Sequence, residues 1–127
     1  MATGMSTATC NSILDAIGNN TSYAIATPYV QLHVGDPGAA GTSNVATETT
    51  RKLVSFGAAS GGAISNDAAI TWTGVAGTED FTHWTLWTAS LGGTFIGSGT
   101  VTANAVVAGD TFTIPTGDLD ITLTVAS

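Results

Sequence analysis

From Tyr29 to Val125 the chain keeps returning to a period of two, with turn formers between the alternating stretches, and that combination leaves few folds open. In "YVQLHV", Val30, Leu32 and Val34 share one face while Tyr29, Gln31 and His33 share the other. "TTRKLVSFG" sets Val54 with Phe56, and "AAITWTG" sets Ile70 with Trp72. "FTHWTLWTA" alternates Trp84 and Leu86 against His83, Thr85 and Trp87, and tryptophan on both faces marks a central strand. "TFIGSGTVT" carries glycines inside a strand pattern, the sign of a bulge or of another backbone passing close by. "LDITLTV" alternates most cleanly, with Leu119, Ile121, Leu123 and Val125 against Asp120, Thr122 and Thr124.

The separators are "GDPGAAG", "SGG", "GVAGTED", "LGG", "AGD" and "PTGD", all built from residues that turn the backbone. Short strands punctuated in this way predict a mainly β fold, an antiparallel β-sandwich of jelly-roll-like build, with a small barrel as the alternative. A βαβ arrangement lacks its helices, and no repeat of about 20 to 50 residues points to a solenoid or propeller. Ahead of the strands, Ala8, Ile13, Leu14 and Ile17 fall near helical spacing, with Thr7 or Thr9 as N-cap and Gly18 as stop. One short N-terminal α-helix is therefore expected, followed by a connector that ends at Pro28. Residues 1–28 form this helix and connector, an arm able to anchor, and residues 29–127 form the sandwich domain.

At 127 residues the chain fits one core. Charged residues make up only 9% of it, against 43% apolar, and Thr, Ser, Ala and Gly fill the surface positions that Lys and Glu usually take. Short hydroxyl side chains lose little rotamer entropy when a neighbouring subunit covers them, which favours assembly. Arg51 and Lys52 are the only Lys or Arg against nine acids, a formal net charge of −7. Nucleic acid and anionic membrane surfaces are poor partners for such a balance. No stretch has the apolar length of a signal peptide or a membrane span, so the chain reads as soluble and made in a cytoplasm.

Chemistry-bearing residues are few. Cys10 is the sole cysteine and reads as a small buried apolar residue on the helix. His33 and His83, the only histidines, would have to recruit distant carboxylates to make a zinc site. Glu79 with Asp80, and Asp118 with Asp120, lack the donor spacing of a calcium loop and read as solvated loop acids. No carboxylate pair stands apart for glycoside hydrolysis, and no G-x-S-x-G elbow or triad context is present. "GAASGGA" is followed by neither a lysine nor a helix and is no phosphate loop. Neither a catalytic residue nor a cofactor is expected. Asp36, Pro37 and Gly38 together specify a turn: aspartate accepts from an amide ahead of it, proline fixes φ and glycine takes positive φ. Trp72, Trp84 and Trp87 read as core or subunit-interface residues, with a sugar-stacking platform as the alternative.

Several longer motifs carry a resemblance. "LHVGDPG", the pair "FGAASGG" and "ISN", the tryptophan strand "THWTLWTASLGG" and the closing "AGDTFTIPTGDLDITL" resemble a family of small virion proteins of tailed bacteriophages. The likeness spans about residues 8 to 125, and the segment between "SNVATE" and "TRKL" is shorter than the family pattern. The resemblance implies a structural role on the particle surface, most readily capsid decoration through the phage major capsid protein. A tail fibre or minor tail subunit is the alternative within the virion. A host-glycan-binding module is the rival of another class. A homo-oligomer, a trimer foremost, would hide exposed sheet edges. Ile13, Leu14, Ile17, Tyr23 and Trp87 are the expected interface residues, with the arm from Met1 to Pro28 as anchor.

Overall fold

The computed structural model describes residues 3–126, the side chain of Ala103 excepted, so Met1 and Ala2 of the expected arm and the final Ser127 lie outside the described residues. Helix α1 runs over Thr7–Gly18. Its N-cap is Ser6, one residue before the earliest expected position, and Ser6 Oγ accepts from the Thr9 amide at 3.1 Å. Thr9 does not cap because its hydroxyl donates to the Ile96 carbonyl at 2.8 Å and so pins the helix to the sheet. Thr9 is the one buried residue of α1. Cys10 is exposed, against the expectation of burial. The next helical position lies about 100° around the axis from the one facing the sheet, which turns the thiol away from it.

Eight strands follow: β1 (Tyr29–His33), β2 (Lys52–Leu53), β3 (Ala63–Ser65), β4 (Ile70–Trp72), β5 (Glu79–Trp87), β6 (Phe95–Val106), β7 (Phe112–Ile114) and β8 (Asp120–Thr122). One layer is a four-stranded antiparallel sheet in the order β2-β1-β5-β6. The other consists of two separate antiparallel ladders, β3 with β8 and β4 with β7. The fold is therefore a mainly β antiparallel sandwich with one helix. Val30, Leu32, Trp84 and Leu86 of the sheet share a single core with Ile70, Trp72, Phe112, Ile114 and Leu119 of the ladder side. Trp72 packs tilted against Phe112 and Phe81 meets it edge to face, with ring centroids at 5.8 and 4.9 Å.

β5 is central, as the tryptophans on both faces of its sequence require. Its register with β6 shifts between Phe81 and His83, and the core face passes there from Phe81 to Trp84, three residues on instead of two. The glycines of β6 admit close neighbours. A Cβ at Gly99 would run into the Trp84 indole, and one at Gly97 would lie 3.1 Å from the Gly4 carbonyl oxygen. The segment ahead of α1 crosses β6 at that point, with Ser98 N donating to Gly4 O at 2.8 Å.

"LDITLTV", the cleanest alternation, forms a ladder over three residues only. Leu119 is fully buried, but Leu123 and Val125 are 50% and 58% exposed. Their partner strand β3 begins only at Ala63, beyond Gly61 and Gly62 at φ 60° and 76°, so no extended partner continues alongside them. Val34 likewise leaves the core face, because β1 ends at His33 where the chain enters the Gly35–Asp36–Pro37 turn.

Candidate functional site

The sheet buries both faces. Opposite the hydrophobic core, Gln31 and His33 of β1 meet Thr85 and His83 of β5 in register, and Tyr29 meets Trp87. Gln31, His33, Thr85 and Trp87 are buried on this side too, beneath the loop of residues 34–50 and the turn of residues 88–94. Gly41, at φ 72°, sits so close to the Phe95 ring that a side chain there would strike it, and Phe95 in turn packs on Trp87 at 5.4 Å.

Arg51 closes this face. Its guanidinium carbon stands 4.3 Å from the Trp87 ring centroid. Nε donates to Gln31 Oε1 at 3.0 Å, and one terminal nitrogen donates to the carbonyls of Ala89 at 2.9 Å and Gly92 at 2.7 Å. A planar fork over an indole is geometry that guanidinium supplies and ammonium does not. Desolvation lowers the Arg51 pKa from its ordinary value.

Next to it runs a buried chain of hydrogen bonds whose directions are fixed by chemistry. His33 Nδ1 lies 2.8 Å from the Ser43 carbonyl oxygen, which can only accept, so Nδ1 carries the proton. Nε2, 2.8 Å from Thr85 Oγ1, is then the acceptor of the neutral ring. The Thr85 hydroxyl donates to it and accepts from Trp87 Nε1 at 2.8 Å. Burial depresses the His33 pKa first, the Ser43 carbonyl opposes the shift, and the positive charge available to His83 adds to it.

The acids and amides of the loops serve as ties. Glu79 accepts from the amides of Thr47 and Glu48, and Glu48 from those of Thr50 and Ala76. Asp36 Oδ1 accepts from Gly38 N at 2.8 Å, Gly38 has φ 78°, and Pro37 is fully buried. Asn66 fills its whole capacity, donating to Ala68 O and Pro115 O and accepting from Gly117 N and Leu119 N. Among the described residues every buried side-chain nitrogen or oxygen has a partner, and no three His, Cys, Asp or Glu side chains gather around a space for a metal ion.

Of the expected interface residues, Ile13 and Tyr23 line one groove and Leu14 and Ile17 lie on the same helix as Ile13, whereas Trp87 belongs to the other face of the sheet. Trp87 is only 8% exposed, held under Arg51. Leu14 and Ile17 on α1 are 61% and 78% exposed, Tyr23 is partly exposed and Ile13 is half-buried. Trp72 and Trp84 are in the core, so none of the three tryptophans offers an open face for stacking a sugar. Sequence reading passed over Arg51, Gln31, Thr85, Asn66 and Glu48, and took Glu79, which starts β5 and accepts from two loop amides, for a solvated loop acid. One signal was present for the first: a lone arginine in a nearly base-free chain, directly ahead of a strand.

The acids, amides and single arginine of this sandwich fasten its own loops. The chain belongs to the Gp80 family, described as podophage GP4 fiber I protein gp80, whose family model matches residues 4–122. It is thus a component of the phage virion from a structural, fibre family, as its motifs led one to expect. A search of curated proteins finds no match.

Proposed function

We propose that this chain is a non-catalytic, repeated subunit of a phage fibre, exposed on the particle surface, that associates with copies of itself as a trimer. The observation that carries the reading is one uncovered apolar end. Between α1, the connector, the sheet and the β3–β8 ladder lies a groove of about 220 Å³, walled by Ile13, Tyr23, Phe56, Ile64 and Ile121 among others. Leu14 and Ile17 stand exposed on the same helix. In a chain of net charge −7, a contact area without charge is where copies approach with least repulsion. The carboxylates of Glu48 and Glu79 are engaged by backbone amides, which supports the non-catalytic part.

Fibre is preferred to capsid decoration because the matched family is described by a fibre. Attachment to the major capsid protein through α1 belongs to the decoration version. Immunogold labelling of purified particles tests the choice: signal on fibres supports the proposal, signal spread over the shell replaces it with decoration, and no signal removes the virion role. Light scattering on the isolated protein reads the trimer. Leu14→Ser with Ile17→Ser is expected to yield a folded monomer.

A further inference from the structure

His33 is fully buried, yet it is a group whose ordinary titration falls inside the range a virus meets. Its surroundings accept only the neutral ring. Nδ1–H is held by the Ser43 carbonyl, so a second proton must go to Nε2, which faces the Thr85 hydroxyl. There the incoming N–H would meet an O–H whose oxygen already accepts from Trp87 Nε1. Thr85 is itself fully buried, so its displaced proton finds no water.

We propose that this face of the sheet is an acid-sensitive latch: protonation of His33 Nε2 breaks the His33–Thr85–Trp87 chain and lifts the loop of residues 36–46 off the sheet. The segment that separates the imidazole from water includes Ser43 to Val45, which pairs alongside β1 through Val34 N to Asn44 O, Ala46 N to Leu32 O and a bridge from Val45 to His33. A charged ring reaches solvent by displacing that segment.

The groups facing the ring set the sign. His83, its register partner on β5, and Arg51 ahead of β2 both oppose a further positive charge. The acids of the covering loop do not rescue it, since Asp36 is turned to Gly38 N and Glu48 to the amides of Thr50 and Ala76. On β5, Glu79 is held by Thr47 N and Glu48 N. His83 has a partner of its own in Thr82 Oγ1 at 2.8 Å. The inference goes beyond the fibre assignment and does not depend on it.

Amide hydrogen exchange on the intact chain tests the latch, compared at about pH 7.5 and about pH 5 after correction for intrinsic rates. Residues 36–46 should lose protection by about tenfold or more at the lower pH. The Trp87 indole N–H signal should shift in step, while amides of β5 facing β6 change far less. His33→Gln should abolish the difference between the two conditions, and His83→Gln should keep it. Equal protection at both pH values in the wild type overturns the latch, as does a difference that survives in His33→Gln. If His33→Gln fails to fold, nitrogen NMR of the wild-type imidazole decides. Loop opening that tracks Nε2 protonation supports the latch, and opening with Nε2 still unprotonated sinks it.

Discussion

Arg51 lies over the face of Trp87 at 4.3 Å and, from that position, ties β1 to the turn after β5. Trp87 owes its burial to this contact and to Phe95 beneath the loop, not to the main core. Arg51→Ala removes the cation from the ring and leaves Gln31 Oε1 and two carbonyls without their donor. The expected loss is about 3 kcal/mol, from charge-assisted hydrogen bonds and a partly desolvated cation–π contact. Arg51→Lys should recover about half of that, since an ammonium keeps the charge but not the fork. Urea unfolding followed by tryptophan fluorescence measures both, and a change within error for Arg51→Ala would contradict the role given to it.

His33 also makes global stability depend on pH, and the sign follows from its depressed pKa. The unfolded ring takes up a proton near 6.5, whereas the folded ring does so only at a lower pH. Between those two values the unfolded state binds more protons, so stability is full above about 6.5 and declines as the solution is acidified below it. The urea midpoint should therefore fall from neutral pH towards mildly acidic pH. In His33→Gln that component of the slope should vanish.

Asn66 holds the 115–119 turn to the start of β4 with four hydrogen bonds from a side chain that is 2% exposed. Asn66→Leu, nearly isosteric, would take from Leu119 N its acceptor and from Ala68 O its donor, while Gly117 N keeps the Asn66 backbone carbonyl and Pro115 O keeps Asp118 N, for an expected cost of about 2 kcal/mol. Asn66→Asp keeps an oxygen to accept from Gly117 N and Leu119 N but sets a carboxylate against Ala68 O and Pro115 O, so it should be no milder. Thermal unfolding by circular dichroism reads both.

How much of this was legible depends on whether the cause was local. The alternation of Val30 with Leu32 and of Trp84 with Leu86 reports a strand with one face in a core, and the fold class follows. What the same period cannot report is the length of the partner strand, so "LDITLTV" promised seven residues and β8 delivers only Asp120–Thr122. Nor does the period report what covers the second face. Gln31, His33 and Thr85 look like a solvent side, yet they are buried because Arg51, Ser43 and the 88–94 turn arrive from elsewhere in the chain. Cys10 was misplaced because helical spacing fixes which residues share a face but not how little of that face the sheet covers.

Gly99 inside "TFIGSGTVT" and Gly61 in the "SGG" turn give a final prediction, because they are required for different physical reasons. Gly99 has an ordinary backbone angle, but a Cβ there would enter the Trp84 ring that packs over it. Gly61 has open space around its missing Cβ and needs only its φ of 60°. Gly99→Ala must push a core indole aside, an overpacking cost of about 2 kcal/mol. Gly61→Ala pays only the left-handed backbone penalty, about 1 kcal/mol. The two are separated by more than size. Near-ultraviolet circular dichroism should change in Gly99→Ala, where the Trp84 environment moves, and remain that of the wild type in Gly61→Ala. An unchanged tryptophan spectrum in Gly99→Ala would mean that the close approach of Trp84 to β6 is not what excludes a side chain there.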